Sequence, residues 1–216
     1  TKTPEFLFNF ERKMKTKKIL PIFSYLFHPL FVPLYGTLYY FFVTKDYFYT
    51  TQIYVTLIQV VIITLFLPIT SYYLFRSLGI VTSFTEASLQ ERRIPILTQG
   101  ILLLLLVKFS LSKEVTTELF YFFLGGLIST VIVLLALLVK FKASLHMIGV
   151  CAFTTFLYGL GTYYQLRFDY LLALSIICVG LVASSRLYMK AHTYLELIIG
   201  SLIGIAPQVF LFNYWL

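Results

Sequence analysis

The chain has 216 residues, of which 59% are hydrophobic and 12% charged, and its formal net charge is +8. Soluble domains carry about twice that charge fraction, and a mean hydropathy of +0.88 leaves more apolar surface than a water-soluble fold of this length can cover. The composition therefore excludes a soluble globular domain and predicts an integral membrane protein.

In chain order, residues 1–18 form a basic N-terminal segment. It reads as a membrane-surface anchor and not as a nucleic-acid patch. Met14 is a candidate initiator, with residues 1–13 upstream of it. The remainder, 19–216, reads as a single transmembrane domain. A spanning helix needs about 20 mostly apolar residues, and seven stretches qualify: 19–43, 50–75, 94–111, 117–140, 145–164, 169–186 and 193–214. The fold class expected is all-α, a polytopic membrane helix bundle of six to seven transmembrane helices. The strand alternation of a barrel is lacking. The first apolar run is too long for a cleavable signal peptide and has no small-residue cleavage site. That run, "LPIFSYLFHPLFVPLYG", holds three prolines and predicts a kinked or re-entrant segment, with His28 beside Pro29 as part of the kink. The connection 76–93 is long enough for an interfacial helix or lid. Gly125–Gly126 and "GSLIG" (200–204) read as close helix packing, and no glycine-rich nucleotide loop is present. Cys151 and Cys178 lie inside apolar runs and read as small buried hydrophobes, not as a disulfide or metal site.

If all seven stretches cross, the N-terminus and the connections after the second, fourth and sixth spans share one face. Of the 17 lysines and arginines, only Lys45, Lys108, Lys113 and Arg167 then fall on the other face. The positive-inside rule places the charged face in the cytoplasm.

That face also collects Arg92, Arg93, Lys140, Lys142, Ser144, His146, Arg186, His192 and Glu196. Ionisable groups at membrane depth are costly and turn toward the bundle interior or a wet cavity. Several fixed cations suit a phosphate or diphosphate through charge-assisted hydrogen bonds, and a helix start adds N–H donors. His192 and Glu196 are four apart and share a helix face. A carboxylate there holds one imidazole nitrogen and leaves the other to attack, while His146 protonates the leaving oxygen. The set describes phosphoester hydrolysis with no metal and no cofactor.

The same residues carry a resemblance. The pattern S-R-x5-H-x3-[D/E] is met by Ser185, Arg186, His192 and Glu196, and it resembles the third motif of the type 2 phosphatidic acid phosphatase (PAP2) superfamily. "ASLH" (143–146) matches the second motif, P-S-G-H, at Ser144 and His146, with Ala143 and Leu145 in place of Pro and Gly. The first motif, K-x6-R-P, is met only by Arg92, Arg93 and Pro95, because Glu86 stands where a lysine would precede Arg93. Lys140 and Lys142 are candidates for the missing cations. The specific part of the likeness runs from Lys140 onward.

The resemblance implies a PAP2-like core and a membrane hydrolase acting on a lipid phosphate, in a bacterial inner membrane. It implies His192 as the nucleophile that forms a phosphohistidine, Glu196 as its orienting carboxylate and His146 as general acid. Arg186 and Ser144 would bind phosphate, with Arg92, Arg93, Lys142 and Lys140 as further cations. Leu145 departs from the motif glycine and limits how closely the backbone approaches a phosphate. Many bacterial members of the family are thought to work on the outer face, whereas the charge count places this cluster inside. If the first segment does not cross, the site lies outside while the N-terminus stays inside. The alternative is a catalytically degenerate relative that binds or transports an anionic lipid. A small transporter is less favoured, because such sites sit near the midplane.

Overall fold

The computed structural model describes residues 19–82 and 89–216. The basic segment 1–18 and residues 83–88, which include Glu86 and the middle of the expected interfacial element at 76–93, lie outside the described residues.

Seven named helices follow in chain order. They are α1 (Val32–Thr44), α2 (Thr50–Ser77), α3 (Arg93–Ser110), α4 (Thr117–Leu138), α5 (Leu145–Tyr163), α6 (Asp169–Tyr188) and α7 (Tyr194–Phe212). No strand occurs among the described residues. Helices α2 to α7 are the six long and apolar enough to cross a membrane, so the chain is an all-α polytopic membrane protein. In hydrocarbon every backbone polar group has to be satisfied within the protein, which is why helices carry the span.

The first expected span, 19–43, is not one helix. A helical stretch at 19–26 ends in a turn over 27–31, and α1 begins beyond it. Proline supplies no N–H and pushes the residue before it out of the helical region. Pro29 and Pro33 therefore break the ladder, and its loose ends are retied locally. The Leu30 N–H, which would have met the Leu26 carbonyl, donates to His28 Nδ1 at 3.3 Å. The Leu26 carbonyl accepts the Tyr35 hydroxyl at 3.0 Å instead. With 13 residues, α1 is about 20 Å long, short of the roughly 30 Å hydrocarbon core.

The closest crossing is between α5 and α7. A methyl group on Gly200 would sit 2.9 Å from the Ser144 carbonyl oxygen, and one on Gly204 would press still harder on the Ile148 carbonyl. Small residues four apart let two backbones meet in lipid, where no hydrophobic force between helices is available. Pro207 lies inside α7 and leaves the Ile203 carbonyl without its helical donor. The Ser129 hydroxyl of α4 fills that gap at 2.8 Å. Gln208, one residue on, donates to the Phe122 carbonyl of α4 at 3.0 Å. At the other end of the bundle Glu118, buried in the first turn of α4, accepts the hydroxyls of Tyr40 at 3.2 Å and Tyr164 at 2.7 Å. That carboxylate joins α1, α4 and the residues after α5.

The α5/α7 crossing leads to a testable contrast. Gly204→Ala is expected to destabilise by about 1–3 kcal/mol, the range for overpacking. At Gly180 a methyl meets nothing within 4 Å, and Gly180→Ala is expected to gain up to about 1 kcal/mol from helix propensity. Thermal unfolding in detergent, followed by circular dichroism, reads both. Equal effects would contradict the crossing.

Candidate functional site

The start of α7 is built by a capping box. The Thr193 hydroxyl accepts the Glu196 N–H at 3.4 Å, and Glu196 Oε2 accepts the Thr193 N–H at 3.1 Å. This pairing satisfies two backbone donors that a helix start leaves open. The same Oε2 accepts Nδ1–H of His192 at 2.8 Å. The carboxylate is thus held by backbone and in turn holds the imidazole. His192 Nδ1 carries the proton, Nε2 keeps its lone pair, and Nε2 makes no hydrogen bond among the described residues.

The His192 side chain is 3% exposed and that of Glu196 20%. Burial pushes the His192 pKa down to about 4; the Glu196 hydrogen bond opposes the shift, and the charges of Lys142 and Arg186 add to it. At neutral pH the ring is uncharged, as a nitrogen nucleophile has to be.

His192 sits in an open cleft of about 500 Å³ between residues 140–144 and 189–193, whose lining includes Lys142, Lys190, Thr193 and Glu196. Lys142 Nζ donates to the Ala191 carbonyl at 2.9 Å and ties the two loops together. Its pKa is lowered by burial first and then by the charge of Arg92. Arg92 is lowered by burial, with Glu196 acting in the other direction. Arg186 lies in the last turn of α6. Its Nε is buried without a hydrogen-bond partner among the described residues. Ser144 is the N-cap residue of α5 and fully buried. Its N–H donates to the Glu196 carbonyl at 3.3 Å, while its hydroxyl is without a partner among the described residues. Three cations therefore gather around a single carboxylate. Two motif side chains, Arg186 and Ser144, each keep a buried polar atom unsatisfied, which costs free energy until a ligand meets it.

Of the remaining expected residues, Arg93 and Lys140 lie apart from this cleft, whereas His146 does not line it but lies within electrostatic reach of Arg186 and His192. Arg93 is exposed and reaches the Leu137 carbonyl at the end of α4 at 3.4 Å. Lys140 is exposed, with a left-handed φ of 60° just past α4. His146 is in the first turn of α5 and turns toward the N-terminal segment. Its Nε2–H donates to the Ser24 carbonyl at 3.1 Å, and its ring packs edge-on to His28 with centroids 5.1 Å apart. The sequence reading passed over three contributors, Ser24, His28 and Lys190. The three-proline stretch around His28 was the one available signal for the first two. The T-x-x-E pattern of the capping box was also legible in "TYLE", Thr193 to Glu196.

The chain matches no family model, and neither the curated proteins nor the solved structures gave a match.

The His192 shift carries a sign that can be tested. The imidazole is harder to protonate in the folded protein than at its ordinary value of 6.5. The stability it contributes is fully present above about pH 6.5 and is lost as pH falls through about 4. The thermal midpoint of the wild type is expected to fall across that window, and to fall less in His192→Gln. Parallel curves would place the acid-sensitive group elsewhere.

Proposed function

We propose that this protein is a membrane lipid-phosphate phosphatase of PAP2 type, working through a phosphohistidine at His192. The observation that carries the reading is the neutral His192 ring, held at Nδ1 by Glu196 and open at Nε2, in a cleft ringed by cations. Lys142, Arg92 and Arg186 hold the phosphate oxygens, and the first N–H groups of α5 with the Ser144 hydroxyl complete the anion site. His192 Nε2 attacks phosphorus, forming the P–N bond as the P–O bond to the lipid breaks. His146, protonated at both nitrogens, gives its Nδ1 proton to the leaving oxygen while its Nε2–H stays on the Ser24 carbonyl. Water then attacks the phosphohistidine with His146 as base, releasing phosphate and restoring His192. The developing charge on the equatorial oxygens is stabilised by cations already in place, so the reaction is expected to run in chelator.

The substrate class is a phosphomonoester or diphosphate on a lipid, with the tail in the bilayer and the headgroup at the charged end of the bundle. Arg76, Arg92, Lys142 and Lys190 share that end; the broken first segment reaches from Ser24 at that end to Tyr40 at the Glu118 end and so counts as a crossing, which by the positive-inside rule turns the charged end to the cytoplasm, in a bacterial inner membrane. A second reading, a catalytically silent relative that binds or moves an anionic lipid, is favoured by the substituted second motif and by the hold of Ser24 on His146.

Phosphate release from a panel of lipid phosphates, in detergent with chelator, separates the two. His192→Ala is expected to lower release by about 10³-fold or more. Glu196→Gln is expected to cost about 10- to 100-fold in kcat, because it loosens the ring without removing it. Arg186→Ala is expected to act mainly through KM. Undiminished release by His192→Ala would overturn the reading, and binding without release by the wild type would favour the second.

A further inference from the structure

The N-terminal broken segment contacts the residues of the site more than a kinked span requires. Three contacts come from two residues, Ser24 and His28. The Ser24 carbonyl accepts Nε2–H of His146 at 3.1 Å. The Ser24 hydroxyl pairs with that of Ser185 at 2.6 Å, buried and beside Arg186. The His28 ring stands at 87° to the His146 ring, with centroids 5.1 Å apart. Gly149 on α5 lies under Val32 and the Pro29 backbone, so the turn is seated on the same helix face that presents His146. The Leu30 N–H bond to His28 Nδ1 fixes the His28 ring in turn. A hydrogen bond at one nitrogen and an orthogonal ring at its side leave His146 a single orientation, with Nε2–H held by Ser24 and Nδ1 left to exchange a proton.

We propose that residues 24–28 form a wall of the site and that His28 is a positioning residue for His146. This rests on the reading of His192 as nucleophile and His146 as general acid. The bare kink reading accounts for Pro29 but not for an imidazole set edge-on against another imidazole, nor for a buried hydroxyl pair 161 residues apart in sequence. In this arrangement the chemistry of His28 is indirect. It touches neither substrate nor phosphorus, and it sets where Nδ1 of His146, the nitrogen that hands over the proton, points when the leaving oxygen arrives.

A general acid matters in proportion to how badly the leaving group needs a proton. The test therefore uses two substrates with the same tail, dodecyl phosphate and a 4-dodecyl-2-nitrophenyl phosphate. The first leaves as an alkoxide and needs protonation, and the second leaves as a stabilised phenolate and does not. His28→Ala is expected to slow the alkyl ester roughly 10- to 100-fold in kcat and the aryl ester no more than about threefold. His146→Ala is expected to give the same split, and the double variant to be no worse than His146→Ala, as residues acting through one group are not additive. His28→Asn keeps an acceptor for the Leu30 N–H and so keeps the turn. It is expected to retain the thermal midpoint yet show the same split. Equal slowing of both esters, or none, would overturn the proposal.

The chain has only three histidines, which supplies a readout independent of turnover. With 15N-labelled imidazoles, His28→Asn is expected to move the His146 resonances and leave those of His192 in place. Unmoved His146 resonances would overturn the positioning role. If the wild type hydrolyses neither ester, the phosphatase reading fails and the catalytic half of this proposal falls with it, while the resonances still decide whether His28 orients His146.

Discussion

The structure depends on how closely α5 and α7 approach. Gly200 and Gly204 leave room for the backbone of Ser144 and Ile148, and the approach places two helix starts at one level at one end of the bundle. The Ser144 N–H can then reach the Glu196 carbonyl. From that register follow the closeness of the loops 140–144 and 189–193, the Lys142 bridge to Ala191 and the position of the His192 cleft. Ser129 of α4 and the bond from Gln208 to the Phe122 carbonyl of α4 brace α7 on its other side, at the weak point left by Pro207. In lipid these few backbone-directed bonds carry weight, because no water competes for the groups they satisfy.

Electrostatically the two ends of the bundle differ. At the end with Glu118, two tyrosine hydroxyls meet one carboxylate, and the arrangement is complete as it stands. At the His192 end the balance is open. Glu196 serves both the capping box and His192, and it faces Lys142, Arg92 and Arg186 with no second carboxylate among the described residues of the cleft. A surplus of half-buried cations is costly to maintain, and in the proposed function an anionic headgroup at the membrane surface relieves it. Burial and the same surplus keep the His192 ring neutral.

The crossing helices were legible because hydropathy over about 20 residues is a strong signal, and the expected bounds of the last six spans fall within a few residues of α2 to α7. The spacing of His192 and Glu196 was equally legible, since four residues on a helix start define a shared face. The first span was harder. Its hydropathy is continuous across 19–43, and only the backbone cost of Pro29 and Pro33 divides it. The surroundings of His146 were not readable, because Ser24 and His28 meet it across more than a hundred residues of chain. Arg93 and Arg92 are neighbours in sequence and looked equivalent, yet a helix turns each residue by about 100°. Arg92 stays within reach of Glu196 and Lys142, while Arg93 swings to the Leu137 carbonyl.

The central claim is that His192 takes the phosphoryl group. The most direct test is to quench the purified protein with base during turnover of a 32P-labelled lipid phosphate and to map the labelled peptide. The account predicts a base-stable, acid-labile label on the peptide holding His192, lost in His192→Ala and longer-lived in His146→Ala. Phosphate release with no label on His192, or a label on another residue, would contradict it.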